Sequence, residues 1–391
     1  MNTMQLGVVT LLKSAITQQG YRLPEDFDLD EACKVMQRHS MLPLLYEGAV
    51  LCGISKQLPT MQRLFQRYCG DLLISEGQMR EISRICAAFD ENGIDYLLLK
   101  GSKMKALYPK PELRSMGDAD ILIRMEQYDR IVPIMEQLGF AAGAESDYDM
   151  QWSKKTLFVE LHKRPISSQN KDFFAYFGDG WKLAKKQTTT RYAMTAEDEM
   201  TYLFTHFAKH YRGGGIGCRH MLDLWVFLRS NPAMDEEQVK AKLGQMHLRE
   251  FYENIRQTIG VWFEDAPSNE KTAFITDFVF DCGSWGKREN YITSVGVRDQ
   301  SGTRGSRGAR LKYVLRILFP NVVALHNKYT ILKKAPWMLP LVWIYRPFYK
   351  LLVRRERKTI GAHKQNLQIL SPEKISSRQQ ALEYVGLGYH F

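Results

Sequence analysis

Apolar positions along this chain repeat first at helical spacing, then at strand spacing, then at helical spacing again. Leu6, Val9, Leu11, Leu12 and Ile16 form a loose helical stripe. The run 31–36 is helical too and leads through His39 to a loop expected at Pro43. A longer helix is predicted over 58–92, with Leu64, Tyr68, Leu72, Met79, Ile82, Ile85 and Phe89 on its apolar side and Asn92-Gly93 as its stop. Then the period changes. Residues 94–99 are short, apolar and bounded by Gly93 and Gly101, which predicts a buried strand. Lys100-Gly101-Ser102 opens a helical stretch that ends before Pro109 and Pro111. Residues 118–123 predict a second strand. A helix over 125–138 stops at Gly139, with Pro133 expected to kink it or mark its start. Residues 140–144, the run around Trp152, and 157–162 predict three more strands.

From Thr195 the helical period returns. Thr195 and Asp198 have the spacing of an N-cap and its third-position partner. Helices are expected over 219–230, 235–263 and 270–282, and a basic Gly/Ser-rich mobile loop over 298–310. The pattern divides the chain into a helical N-terminal region (1–92), a core (93–190), a helical domain (191–297) and a basic C-terminal region with amphipathic helices (298–391). The fold class is α+β, a small mixed sheet with helices flanked by helical regions.

Composition narrows the class. With 45% apolar and 25% charged residues among 391, disorder as the main state is excluded. No uninterrupted apolar window of about 18 residues exists to span a membrane. The first 20 residues lack the pattern of an export leader, so a cytoplasmic protein is expected, with contact to the inner face of the membrane as one option. The six cysteines, at 33, 52, 69, 86, 218 and 282, form no CxxC pair, which argues against a zinc ribbon or an iron–sulfur site. They read as reduced, mostly buried thiols. The net charge of +11 is uneven: residues 301–391 hold 17 Lys/Arg against 3 Asp/Glu, and the first 300 hold 37 against 40. Such a tail suits an anionic membrane, an acidic protein or a nucleic acid.

Chemistry concentrates between residues 100 and 162. Asp118 and Asp120, two apart on a strand, point to one face, and like charges held together call for a cation. Mg²⁺ or Mn²⁺ takes carboxylate oxygens together with substrate phosphates. Gly101-Ser102 offers backbone N–H groups and a hydroxyl to a phosphate. Glu160, on an apolar strand, is the third carboxylate; two metals about 3.5–4 Å apart would stabilise both the attacking and the leaving oxygen. Glu160 is also placed to act as general base toward an acceptor hydroxyl.

Leu99-Lys100-Gly101-Ser102, Tyr108-Pro109, Arg114, the 118–123 strand and Val159-Glu160-Leu161-His162 together resemble an uncharacterised bacterial nucleotidyltransferase-like family of the polymerase-β-type nucleotidyltransferase superfamily. The motif resemblance covers about 94–165, and Leu203, His206, Arg219 and Asp223 extend it to about 345. It implies a polymerase-β-type core and transfer of a nucleoside monophosphate from an NTP to a hydroxyl acceptor, with pyrophosphate released. Metal binding then falls on Asp118, Asp120 and Glu160, and nucleotide binding on Lys100, Gly101, Ser102 and Arg114. His162, His206, Arg219 and Asp223 are candidates for the acceptor side. The interval from Ser102 to Asp118 is longer than in the minimal members of the superfamily.

Plainer readings stand beside these. Glu160 pairs with Lys100 or His162; Lys100 neutralises the carboxylates instead of holding a phosphate; Arg114 is a surface residue. His206 and His210, four apart on one helical face, pack instead of binding a metal, and Arg219 and Asp223 form a helix ion pair. Residues 311–358 mix aromatic, aliphatic and basic positions. They suit a packed helical pair with a basic outer face, or peripheral membrane contact. No known RNA-binding motif is present, so nucleic acid is not the expected partner. Two other classes remain open: a non-catalytic nucleotide-binding module, and an interaction protein at the membrane surface in envelope-polysaccharide assembly, a link that the family resemblance and the tail composition suggest.

Overall fold

The computed structural model describes residues 1–155, 157–300, 306–325, 329–352, 361, 363 and 365–389. Contacts divide the chain into two units. The first comprises Met1–Tyr211, Gly215–Trp285 and Val385–Leu387, the second Arg212–Gly214, Gly286–Tyr384 and Gly388–Phe391. This division by contact follows different lines from the segmentation by element type.

The first unit begins with α1 (Thr3–Thr17), α2 (Leu29–Arg38), α3 (Leu42–Leu51) and α4 (Pro59–Glu91). An Asn2–Gln5 capping box starts α1. Pro43 lies in the first turn of α3 rather than in a loop, because a helix start needs no N–H at that position. Then come β1 (Tyr96–Leu98), α5 (Lys100–Lys105), β2 (Asp118–Ile123), α6 (Tyr128–Gln137), β3 (Ala141–Glu145), β4 (Asp149–Lys154) and β5 (Leu157–His162). Pro133 sits inside α6 on its exposed side, where water can meet the carbonyl that Pro leaves unbonded. The unit continues with α7 (Lys171–Phe177), β6 (Lys185–Lys186), β7 (Arg191–Ala193), α8 (Ala196–Arg212), α9 (Cys218–Ser230), α10 (Glu236–Gly244), α11 (Arg249–Phe263) and α12 (Glu270–Cys282). Thr195 caps α8 through the Asp198 N–H at 3.2 Å. The single helix expected over 235–263 is two. His247 adopts a left-handed φ of 56°, and the break is pinned by burial of Met246 and Leu248 on either side.

The strands form one mixed sheet in the order β3-β4-β5-β2-β1-β7-β6. β2 pairs parallel with β5 and antiparallel with β1. Alternation sorts each strand's side chains. Ala119, Ile121 and Ile123 of β2 and Leu157, Val159 and Leu161 of β5 enter one core with Ile82, Ile85 and Phe89 of α4 and Ile131, Ile134 and Met135 of α6. The opposite face of the same strands carries Asp118, Asp120, Glu160 and His162.

A buried histidine ties this unit's two ends. His39, at the end of α2, accepts the Cys218 N–H at Nδ1 (3.0 Å) and donates from Nε2 to the Phe280 carbonyl (3.2 Å). Burial holds its pKa down at about 4. None of the six cysteines is in a disulfide; Cys218 and Cys282 are buried and the other four half-buried, fewer buried than expected.

The second unit contains α13 (Arg288–Gln300), α14 (Ser306–Leu318), α15 (Val322–Leu325), α16 (Ile331–Lys334), α17 (Leu339–Leu352) and α18 (Pro372–Tyr384). Ile292 and Val297 pack with Leu370 and Ile375. The loop expected over 298–310 is therefore corrected: 298–300 finish α13 and 306–310 begin α14, while 301–305 lie outside the described residues. Packing of Val297 and Tyr313 on that cluster outweighs the Gly/Ser signal. Of the 311–358 stretch, 353–358 also lie outside the described residues.

Candidate active site

The site begins with strand register. Asp120 of β2 is the direct parallel partner of Glu160 of β5, and Leu122 that of His162. Two carboxylates thus face each other because the apolar sets on the opposite face fix the register; a slip of one residue would bury them. Asp120, Glu160 and His162 each offer a ligand atom within 4.8 Å of the others. Asp118 shares their face two residues before Asp120. His162 stands inside this carboxylate cluster.

Positive groups meet the carboxylates. His162 Nε2 donates to Asp120 Oδ1 at 2.9 Å and lies 3.5 Å from Glu160 Oε2. Lys100 Nζ is 3.0 Å from the same Asp120 oxygen and 3.0 Å from His206 Nε2. Burial alone would raise the Asp120 pKa, but Lys100 and His162 hold it well below the usual carboxylate range. Asp118 moves the other way, raised by burial and by the Asp120 charge. Burial would lower His162, yet its hydrogen bonds to Asp120 and Glu160 raise it. His206 is pushed well below its ordinary value by burial and by the Lys100 ammonium, so its imidazole is neutral.

The turn before β2's neighbour helix is pinned to the carboxylates by backbone. Leu99 N–H donates to the Asp120 carbonyl at 2.9 Å. Lys100 has a φ of 28°, a strained value for a residue with a Cβ. Gly101 follows because a Cβ there would stand 2.8 Å from the Asp118 carbonyl oxygen. The Ser102 hydroxyl is buried and has no hydrogen-bond partner among the described residues, nor has His162 Nδ1. A polar atom enclosed without a partner is costly unless a ligand supplies one.

Arg114 backs this turn. Its Nε and Nη2 clamp Asp223 of α9 at 2.8 and 2.9 Å, and Nη1 donates to the Gly101 carbonyl at 3.1 Å. Tyr108 OH donates to the same Asp223 carboxylate at 2.7 Å. Arg114 is thus neither on the surface nor pointing outward. The helix ion pair expected between Arg219 and Asp223 is replaced: Asp223 serves Arg114, and Arg219 donates to the Ser115 carbonyl at 3.1 Å. His206 faces Lys100, with His210 Nε2 3.1 Å from His206 Nε2.

One residue of the site escaped the sequence reading. Lys209 of α8 sits with its Nζ 5.6 Å from the centre of the Tyr148 ring, which is 5.7 Å from the His162 ring. Burial and the Lys100 charge lower its pKa to about 8, against the pull of Asp120, Glu160 and Asp149. Helical spacing from His206 was the only available signal.

The donor set fits a divalent cation. It offers carboxylate oxygens and an imidazole on one face, in a cluster whose mutual repulsion a cation relieves.

No curated protein matches the chain. Two solved structures of the antibiotic-resistance factor ANT(2'')-Ia show similarity. One was determined in solution; it is 15% identical, with 46% of this chain and 96% of that one covered and a TM-score of 0.34. The other is a crystal structure in complex with adenylyl-2''-tobramycin, 14% identical, with 44% and 98% covered and a TM-score of 0.34. A family model described as an uncharacterised nucleotidyltransferase matches residues 25–264, which is well over half of the chain and includes all of β1–β7, α8 and α9. The chain belongs to that nucleotidyltransferase family.

Proposed function

We propose that the chain transfers a nucleoside monophosphate from an NTP to a hydroxyl acceptor. The acceptor oxygen forms a bond to the α-phosphorus, the bond to the β-phosphate bridge oxygen breaks, and pyrophosphate leaves with the electron pair. The observation that carries this reading is the register pairing of Asp120 with Glu160 beside the turn that holds Ser102's unpartnered hydroxyl.

In this reading Asp118, Asp120 and Glu160 hold Mg²⁺ or Mn²⁺, with His162 ligating or orienting Asp120. The metal supplies charge neutralisation at the phosphates. Gly101 and Ser102 receive the β- and γ-phosphates, and Lys100 and Lys209 lie where a polyphosphate brings negative charge. Glu160 takes the acceptor proton. Arg114 acts through Gly101 and Asp223 and keeps the turn in place. Alignment of donor and acceptor supplies much of the remaining rate.

One observation favours a second reading. Lys100 already answers the Asp120 charge, as a nucleotide-binding module that performs no chemistry would allow. Calorimetric titration with each NTP and Mg²⁺ or Mn²⁺, run beside a pyrophosphate-release assay, separates the two. Metal-dependent binding with release, both lost in Asp120→Asn, supports transfer. Binding without release under every acceptor tried supports the module.

A further inference from the structure

In the second unit, α14 and α17 each leave an apolar stripe uncovered. On α14 it is Leu311, Leu315 and Leu318, continued by Phe319 just past the helix. On α17 it is Leu341, Ile344 and Tyr345, led by Trp337 from the turn before it. All are exposed, Trp337 to 75% and Ile344 to 65%. Both sets follow the spacing i, i+4, i+7, i+8, which places each on one helical face.

These helices are packed within their unit, and at the stripe edges Phe319 and Tyr345 share in ring contacts. Leu325, Leu332 and Val342 form a small buried cluster. Trp343 Nε1 donates to the Pro320 carbonyl at 2.8 Å, and the Trp343 ring meets Phe319 edge-on at 5.2 Å. The stripes are therefore carried on packed helices.

Charge decides between occupants. Residues 306–325 and 329–352 contain eight Lys/Arg and no Asp/Glu. A second copy would bring helices of the same sign of charge against these and be repelled. A nucleic acid would use the charge but gains little from Leu and Ile side chains. A bilayer with anionic headgroups rewards both, and Trp and Tyr suit its polar–apolar boundary. Among the described residues no helix is long and apolar enough to cross a membrane, so such helices would lie in the interface.

We propose that α14 and α17 form a docking surface for an anionic lipid bilayer, with the apolar stripes entering the headgroup region and Lys/Arg meeting lipid phosphates. The surface shares no residue with the nucleotide site, so its test stands apart from the proposed reaction.

The test is co-sedimentation of the full chain with vesicles of equal parts phosphatidylcholine and phosphatidylglycerol, against phosphatidylcholine alone. Binding to the anionic vesicles is expected, at least about tenfold weaker without phosphatidylglycerol and weakened by salt. Leu341→Glu with Ile344→Glu, both at exposed positions, should lower partition at least about tenfold. Acyl chains carrying bromine should quench the tryptophan fluorescence of the native chain more than that of Trp337→Phe. Equal partition of the native chain and the double variant would overturn the proposal, as would quenching that Trp337→Phe leaves unchanged. So would a vesicle-free dimer that the double variant dissolves, which would assign the stripes to a second copy, or binding to single-stranded RNA in preference to vesicles.

Discussion

Ala119, Ile121, Val159 and Leu161 stand on one face of β2 and β5; Asp118, Asp120, Glu160 and His162 stand on the other. The first set is held by contact with α4 and α6 and asks only for shape. The second is held by charge, with His162 and Lys100 both meeting the Asp120 carboxylate. Yet the two are not separable: the apolar face sets the register that brings the carboxylates together. A site of like charges is thus built by the side of the sheet that carries no charge.

The largest test of that contrast is Asp120→Asn, which preserves shape and removes the charge. Nucleotidyl transfer should fall at least about thousand-fold, about 4 kcal/mol in the barrier, while far-ultraviolet circular dichroism stays unchanged. An active Asp120→Asn variant would sink the assignment. Ile121→Ala probes the other face. It should cost about 3 kcal/mol of stability in urea titration, with activity per folded molecule retained.

Two buried imidazoles sharpen the comparison. His162 lies among carboxylates and is raised; His39, with both nitrogens bonded to backbone, is lowered from 6.5 to about 4. As pH falls below about 6.5 the unfolded chain binds a proton at His39 that the folded chain refuses. Stability from this group is complete above about 6.5 and is lost as pH falls to about 4, by roughly 3 kcal/mol. Denaturation of the native chain and His39→Gln at pH 7 and pH 4 measures it: the variant should lack that part of the decline. The smallest effect is expected at the rim. Lys209→Ala should raise KM for the NTP about tenfold, roughly 1.4 kcal/mol, with a smaller change in kcat.

What could be read beforehand followed from local pattern. Short apolar runs placed the strands over 118–123 and 157–162, and two-residue spacing put Asp118 and Asp120 on one face. The Asp-x-Asp spacing and Gly101-Ser102 marked the turn beside them. What escaped depends on distant partners. β6 and β7, of two and three residues, are strands only because β1 offers an edge. Lys209 reads as an ordinary helix lysine until β5 and Tyr148 are beside it. Arg114 reads as a loop arginine until Asp223, far along the chain, takes two of its donors. Spacing alone paired Arg219 with Asp223, and tertiary contact gave that carboxylate to Arg114.

The parallel pairing of β2 with β5 also orders events in time. Asp120 and His162 are 42 residues apart in sequence, and a parallel pair cannot close through a short turn. The β3–β4–β5 meander, antiparallel throughout, can form from near neighbours. Docking β5 onto β2 is then a late step, and it brings Asp120 against Glu160. Refolding followed by ligand binding should therefore lag refolding followed by circular dichroism.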